Sequence, residues 1–304
     1  MVQTDMKKIV IICGPTASGK TRLAIELAQQ HNGEIVSADS GQVWRELDLG
    51  TAKPTPEDQR RIPHHLIDVA TPGEHFDVSQ YVALADKAIT DITGRGKMPF
   101  VVGGTGMYLR VLLHGLCEAP KQDAALRAQL EEKIKKEGLE TLYQKLKEVD
   151  PVLASKINQK DKTRIIRGLE VYELAGAPLS LLQKKHKFEK PRYEALQIGI
   201  LCDKKDLHAR IEKRVDWMIA NGWTEEVREL LKFYPAEAQA FKTIGYRQII
   251  DHLRGKISLE ETAAEIKKQT RLYAKRQGTW FRKDKTIQWL EPLEILRQPW
   301  PFGK

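Results

Sequence analysis

The segment Gly14-Pro15-Thr16-Ala17-Ser18-Gly19-Lys20-Thr21 fits the pattern G-x-x-x-x-G-K-[ST]. An apolar run, Ile9-Val10-Ile11-Ile12-Cys13, comes before it, and a segment with apolar residues at helical spacing follows. A strand, a glycine-rich loop and a helix are the context that this motif requires. There the main-chain N–H groups bind an anion, Lys20 adds a positive charge, and the Thr21 hydroxyl can bind Mg²⁺. The segment therefore predicts a P-loop, the common nucleotide- and ATP-binding motif, that holds a diphosphate.

Further apolar runs alternate with helical segments in the first and last parts of the chain. They predict strands at residues 34–38, 99–102, 196–201 and 286–290. Continuous apolar strands that are separated by helices are typical of a parallel sheet covered on both faces. Asp39 and Thr105 come directly after two of these strands, where such sheets bind their ligands. We therefore expect both residues to lie close to the loop at Gly14.

The middle of the chain has a different pattern. From Asp123 to about Lys190 the segments are helical and highly charged, with no convincing strand. We predict an all-helical insertion domain at residues 118–195, between two parts of a catalytic core at 1–117 and 196–304. The predicted fold class is α/β: a parallel sheet like that of P-loop NTPases, flanked by helices, with an all-helical insertion.

Composition argues against several classes of protein. The chain has 304 residues, of which 41% are hydrophobic and 30% are charged, and this balance is typical of a globular enzyme. It has no apolar run of eighteen residues, so we expect no membrane span. A strand is predicted close to the N-terminus, so we expect no signal peptide and a cytoplasmic protein. The three cysteines lack C-x-x-C spacing, so neither a zinc site nor a disulfide framework is predicted.

A basic segment lies near the C-terminal end, in a chain of net charge +9. Ser258 and Glu261 have the spacing of a capping box that begins a helix. On that helix Lys267, Arg271 and Lys275 share one face, and aromatic residues are interleaved with the basic ones. Two interpretations stay open: a solvated helix face, or a surface that follows the phosphates of a nucleic acid.

Asp39 is the candidate for acid–base chemistry. As a carboxylate at a strand end it could hold Mg²⁺ through water, act as a general base beside a bound diphosphate, or cap the next turn. Gln42 carries both a donor and an acceptor and could pair with an adenine edge.

Other polar residues could complete an anion site. The loop Gly103-Gly104-Thr105-Gly106 brings a hydroxyl and main-chain N–H groups near the phosphates, or is simply a tight turn. Arg210 and Arg214 lie one turn apart on a predicted helix and could face the anion from the opposite wall, or could form surface ion pairs. The segment from Ile62 to Asp68, which contains two adjacent histidines, is expected to be a structured lid and not a metal site.

Together these segments resemble the tRNA dimethylallyltransferase family of bacterial type. The similarity extends from near the N-terminus to about Arg282. It is carried by Gly14–Thr21, Ala38–Val43, Gly50–Pro54, Pro63–Asp68, Gly103–Tyr108, Asp161–Tyr172, Lys242–Arg247 and Gln269–Gln277.

The resemblance implies an activity and a set of partners. Such an enzyme transfers a dimethylallyl group from dimethylallyl diphosphate to N6 of the adenosine at tRNA position 37, next to the anticodon, with Mg²⁺. It implies an enzyme that acts in the cytoplasm as a monomer and binds the anticodon stem-loop. Alternatives are a small-molecule or nucleotide kinase, an adenylate isopentenyltransferase, or a non-catalytic RNA-binding P-loop ATPase.

The resemblance also implies roles for matching positions. Asp39 would be the general base, and Thr105 and Arg214 would act on the departing diphosphate. Thr21 would hold the metal. The diphosphate would be bound by Gly14, Thr16, Ala17, Ser18, Gly19, Lys20 and Thr21. The tRNA would contact Asp39, Ser40, Gly41, Gln42, Arg127, Thr163, Arg164, Arg167, Lys242, Thr243, Ile244, Gly245, Tyr246, Arg247, Arg271 and Lys275. Gly41 and Trp44 depart from the family pattern, which has a larger residue and a tyrosine there.

Overall fold

A computed structural model describes residues 6–297 and residue 299. The chain divides into two compact units, one formed by residues 1–113 with 192–304 and the other by residues 114–191. The sequence-based boundaries, 117/118 and 195/196, lie four residues later. The boundaries differ because Arg192 already belongs to the first unit. Its main-chain N–H donates to the carbonyl oxygen of Leu113 at 2.8 Å, which joins the point where the chain leaves the first unit to the point where it returns.

The first unit is built on a six-stranded parallel sheet. Its elements before residue 114 are β1 (Lys8–Cys13), α1 (Lys20–Gln30), β2 (Gly33–Ser37), α2 (Pro56–Arg61), β3 (His64–His65), α3 (Val78–Gly94), β4 (Met98–Gly103) and α4 (Gly106–His114).

The second unit is all-helical among its described residues, and aspartates precede three of its helices. The elements are α5 (Ala124–Glu137), α6 (Leu139–Val149), α7 (Pro151–Ala154), α8 (Lys162–Ala175) and α9 (Leu179–His186). Asp123, Asp150 and Asp161 cap α5, α7 and α8 by accepting main-chain N–H groups. The helices enclose a core of their own, which includes Leu146 and Leu169, both fully buried.

The first unit resumes after residue 191. Its later elements are β5 (Glu194–Ile200), α10 (Lys204–Ala220), α11 (Trp223–Leu230), a short 3-10 helix (Gln239–Lys242), α12 (Tyr246–Leu253), α13 (Leu259–Phe281), β6 (Gln288–Leu290) and α14 (Pro292–Arg297). The strand order is β3-β2-β4-β1-β5-β6.

The apolar strands explain why helices cover both faces of this sheet. Ile9 and Ile11 of β1 belong to one hydrophobic core, and Val10 and Ile12, which point the other way, belong to a second. The four strands predicted after β1 are confirmed as β2, β4, β5 and β6, within a few residues at each end. Among the described helices, none is both long enough and apolar enough to cross a membrane.

One prediction about the fold was wrong. The two adjacent histidines are not in a lid loop but form β3, which pairs with Ile35 and Val36 at the edge of the sheet. The His65 ring also bonds to the buried Glu34 carboxylate at 2.8 Å. A strand of two residues carries too little periodicity to be seen in the sequence.

Candidate active site

The P-loop connects β1 to α1. Gly19 is the N-cap of α1 and has a left-handed φ of 92°, which only glycine adopts without cost. Because glycine has no side chain that could cap the helix, the first N–H groups of α1 stay available to an anion. The Lys20 ammonium folds back over the loop and donates to the Pro15 carbonyl oxygen at 2.8 Å.

Two cations and one carboxylate converge at this loop. The Arg214 guanidinium of α10 donates to the Thr16 hydroxyl at 3.3 Å. Burial lowers the pKa of Lys20 to about 8, and the nearby Asp39 carboxylate opposes this shift. Burial likewise lowers the pKa of Arg214, which stays protonated. Positive charges that have lost much of their water interact strongly with an anion, so the loop is suited to a diphosphate.

Asp39 and Thr105 lie together at the carboxyl edge of the sheet. The Thr105 main-chain N–H donates to the Ala38 carbonyl oxygen at 3.1 Å, and the Ser40 N–H donates to the Thr105 hydroxyl at 3.0 Å. Asp39 Oδ1 accepts the Gly41 N–H at 2.8 Å. These hydrogen bonds hold the residues that follow β2 and β4 in one place, although 65 positions separate Ser40 from Thr105.

Two cavities meet at Asp39. A polar cavity surrounds the P-loop and is lined by Lys20, Thr21 and Arg214. A second cavity of about 470 Å³ is mostly aromatic and aliphatic; its aromatic side chains are Trp44, Phe76, Tyr108, Trp223 and Tyr273. Five residues line both cavities: Thr16, Asp39, Thr51, Ala52 and Arg214. An anion in the first cavity and a flat apolar group in the second would therefore both border Asp39.

Sequence reasoning missed two residues of α13 at this junction. Gln277 is buried and bonds to main-chain groups of both the P-loop and the loop after β4. The Tyr273 hydroxyl interacts with the side chains of Thr105 and Gln277, and burial together with Asp39 raises the pKa of Tyr273, so it stays a neutral phenol. Their spacing of four residues places them on one helix face, which is the signal that could have identified them.

Gly41 and Trp44, the two departures from the family pattern, line the aromatic cavity together with Asp39. A Cβ atom on Gly41 would be 3.1 Å from Thr51 Cγ2 and 3.3 Å from Asp39 Oδ1, so a larger residue there needs Thr51 to move. Trp44 is buried and packs edge-to-face on Phe76, with 6.1 Å between the ring centroids. Both positions therefore shape the aromatic cavity.

Several residues expected to contact tRNA are held inside the protein. Gln42 is 9% exposed; its Oε1 accepts the Ser37 hydroxyl at 2.9 Å and its Nε2 donates to the Ala52 carbonyl oxygen at 3.3 Å. Tyr246 is fully buried and its hydroxyl donates to Glu226 at 2.6 Å. Both side chains thus have partners within the protein, and their contact with tRNA stays a prediction.

The other residues of the Lys242–Arg247 segment are placed differently. Lys242, Thr243 and Ile244 line the aromatic cavity, and Arg247 is exposed. Gly245 packs under the Trp223 ring, since a Cβ atom there would lie 1.9 Å from the ring. This segment thus forms part of the wall of the aromatic cavity.

In the helical unit, two of the predicted arginines surround one buried carboxylate. Glu170 is fully buried and accepts Arg127 through Nε and Nη2, at 2.8 and 3.1 Å, and Arg167 through Nη1 at 2.6 Å. Thr163 and Arg164, by contrast, are exposed. Glu170 therefore fixes both guanidinium groups within the unit, whereas Arg164 is exposed at its surface.

The basic face of α13 is largely neutralised by α10. Lys267 pairs with Asp216 at 2.6 Å, and Arg271 pairs with Glu212 at 2.8 Å. Lys275, one turn further along, is exposed. Two of the three cations on this face therefore hold α13 against α10, and its contact with phosphates stays a prediction. Arg210, the second arginine expected to face the anion, is exposed on α10.

Comparisons with known proteins identify the family of this chain. The family model described as IPP transferase matches residues 42–284, and that of isopentenyl transferase matches residues 7–68. The chain is 50% identical over 292 residues to tRNA dimethylallyltransferase 1 of Pelobacter propionicus, covering 96% of this chain and 94% of that one. It is 49% identical to tRNA dimethylallyltransferase of Geobacter metallireducens, with the same coverage.

Solved structures show the same relationship. The tRNA isopentenylpyrophosphate transferase of Bacillus halodurans has a TM-score of 0.71 at 37% identity, covering 96% of this chain and 94% of that one. A eukaryotic dimethylallyltransferase acting on tRNA has a TM-score of 0.80 at 28% identity, covering 96% and 75%. Because these similarities extend over nearly its full length, the chain belongs to the tRNA dimethylallyltransferase family.

Proposed function

We propose that this chain transfers a dimethylallyl group from dimethylallyl diphosphate to N6 of the adenosine at position 37 of tRNA, next to the anticodon. The products are N6-isopentenyladenosine and diphosphate. The observation that carries this proposal is the position of Asp39, which lines the P-loop cavity and the aromatic cavity at once. A carboxylate at that junction borders both the leaving diphosphate and the attacking base.

The P-loop would act on the leaving group. The C–O bond of the allylic diphosphate breaks, and the allyl carbon tolerates the positive charge that develops. Negative charge grows on the diphosphate, where Lys20 and Arg214 stabilise it from two sides. Thr16, which accepts from Arg214, and the first turn of α1 would hold the diphosphate in place. Thr105 would border the reacting carbon from the loop after β4.

The aromatic cavity would hold the adenine and the dimethylallyl chain. Trp44, Phe76 and Trp223 offer flat apolar surfaces, and bases that leave a stack bind to such surfaces. The base must first leave the anticodon stack, at a cost of a few kcal/mol. Contacts between basic side chains and tRNA phosphates offset that cost.

Asp39 would be the general base. An exocyclic amine is a poor nucleophile and must lose a proton as the C–N bond forms. Oδ1 of Asp39 accepts the Gly41 N–H, so we assign the proton to Oδ2. The neutral Tyr273 hydroxyl lies in the same cavity and can orient the reacting groups.

A magnesium ion fits the polar cavity. The hydroxyl of Thr21 and the carboxylate of Asp39 both line it, and both are oxygen donors of the kind that Mg²⁺ prefers. No cluster of three or more histidine, cysteine or acidic residues that could hold a metal occurs within the described part of the chain. Oxygens of the diphosphate and water would therefore complete the coordination, and the ion would neutralise charge on the diphosphate.

For the tRNA we propose contact with the anticodon stem-loop, made by a monomeric protein in the cytoplasm. The exposed Arg164, Arg247 and Lys275 are the basic candidates for phosphate contacts, and Lys242 to Ile244 line the cavity that we propose for the base. Arg127 and Arg167 present guanidinium groups that Glu170 has already oriented.

The proposal is tested by incubating the protein with labelled dimethylallyl diphosphate and one of three acceptors. These are unmodified tRNA, the same tRNA with guanosine at position 37, and free AMP. Label should enter only the unmodified tRNA. Label in AMP alone, in the guanosine variant, or in none of the acceptors would refute the proposal.

A further inference from the structure

Gln277 joins two loops that are far apart in the sequence. It lies on α13 and is 6% exposed. Its Oε1 accepts the main-chain N–H of Thr16 at 2.8 Å, and its Nε2 donates to the carbonyl oxygen of Gly104 at 2.9 Å. Only one orientation of the side-chain amide satisfies both main-chain groups, because one of them is a donor and the other an acceptor.

Gly104 leaves the space that this arrangement needs. A Cβ atom there would lie 2.2 Å from Gln277 Nε2 and 3.3 Å from the Gly14 carbonyl oxygen. Any other residue at position 104 would therefore displace the amide from the loop. The buried amide of Gln277 can bond to Gly104 because this residue has no side chain.

The two loops carry the groups that act on the two substrates. Thr16 accepts from Arg214 and lines both cavities. Gly104 is followed by Thr105, whose hydroxyl accepts the Ser40 N–H next to Asp39. Gln277 therefore bonds to both of the loops that border Asp39 and the P-loop cavity.

We propose that Gln277 is a positioning residue. It fixes the P-loop against the loop after β4 and so sets the distance between the diphosphate and the general base. The inference rests on the proposed function for the identity of the anion. The same helix also holds α10, the helix of Arg214, through the pairs Lys267–Asp216 and Arg271–Glu212. Helix α13 thereby positions both walls of the diphosphate site.

The first test measures the binding of inorganic diphosphate, with Mg²⁺, to the full chain and to Gln277→Leu, which keeps the side-chain volume. Loss of an anchor on the P-loop should weaken diphosphate binding about tenfold. kcat should fall, whereas KM for tRNA should not change. The matched control is Gln269→Leu, because Gln269 lies on the same helix and donates to Glu265 of that helix at 2.7 Å.

A double-substitution cycle separates positioning from a general loss of folding. Gly104→Ala and Gln277→Ala should each weaken diphosphate binding about tenfold, since each breaks the same contact. In the double variant the methyl group added at position 104 no longer meets the amide, so the loss should stay near tenfold instead of reaching about a hundredfold. Unfolding midpoints of all three variants confirm that they fold.

The outcomes distinguish this inference from the proposed function. Normal diphosphate binding by Gln277→Leu, or additive losses in the cycle, would overturn the positioning role alone. No diphosphate binding by the unsubstituted chain would overturn the diphosphate site and this inference with it.

Discussion

Replacing Asp39 by asparagine should abolish most of the transfer without disturbing the site. Asparagine keeps an oxygen that can accept the Gly41 N–H, so the loop after β2 should hold its conformation. It loses the ability to take a proton from N6. A positioned general base contributes about 10²- to 10⁴-fold to a rate, which corresponds to about 3 to 5 kcal/mol in the activation free energy.

The same substitution should act in the opposite direction on diphosphate binding. Asp39 is close enough to Lys20 and Arg214 to oppose, for both groups, the lowering of the pKa that burial causes. Removing its negative charge should therefore tighten the binding of inorganic diphosphate when it is measured without Mg²⁺, while kcat falls. If Asp39 only supported the loop, its replacement would lower both kcat and the affinity for diphosphate. Opposite changes in these two quantities therefore indicate a general base.

The assay combines single-turnover transfer of label to tRNA with calorimetric titration of diphosphate and of tRNA. Asp91→Asn is the matched control, since Asp91 lies on α3 and pairs with Arg95 away from both cavities. A decrease in kcat of less than about tenfold would exclude Asp39 as the general base. A parallel loss of tRNA and diphosphate affinity would instead mean that Asp39 is needed for the conformation of the loop.

Three further predictions concern stability and tRNA binding. Glu170→Gln should lower the free energy of unfolding by about 3 kcal/mol in urea titrations, because two arginines lose a buried partner; a change below about 1 kcal/mol would contradict this. The hydrogen bond from Arg95 holds the pKa of Glu34 well below its usual value of 4.5. The ionised Glu34 carboxylate therefore contributes fully to the free energy of unfolding above pH 4.5, and this contribution is lost as the pH falls below that value. The stability difference between the unsubstituted chain and Glu34→Gln should therefore shrink between pH 6 and pH 3 in unfolding experiments; a constant difference would refute the assignment. Lys275→Gln should reduce the salt dependence of tRNA affinity by about one unit in log–log slope, whereas Lys267→Gln, whose lysine pairs with an aspartate of α10, should not; equal slopes for both variants would contradict this.

Much of the fold follows from local patterns. The apolar run before Gly14 and the glycines after it predict a strand, a loop and a helix, and the strand and the helix are present on either side of the loop. The rule that ligands bind at the carboxyl ends of parallel strands brings Asp39 and Thr105 together, and the Ser40–Thr105 hydrogen bond shows that the loops after these strands meet. Periodicity failed at β3, because two residues do not define a period.

The charges were less predictable. Lys267 and Arg271 have the spacing of a nucleic-acid-binding face, but the carboxylates of α10 pack against them. Tyr246 lies in a motif expected to contact tRNA, yet its side chain is part of the core around Trp223, with 5.7 Å between the ring centroids. Whether a polar side chain faces solvent or a partner depends on which helix packs beside it, and that information is not in the spacing.

The sequence by itself determined the P-loop, the parallel sheet and the edge at which Asp39 and Thr105 lie, because main-chain geometry at glycines and alternation in strands are local properties. Only the tertiary structure decided which basic side chains remain exposed. It also decided that Asp39 borders two cavities and that Gln277 joins the P-loop to the loop after β4. Those relationships join residues up to 261 positions apart, and they exist only once packing has brought the helices and the sheet edge together.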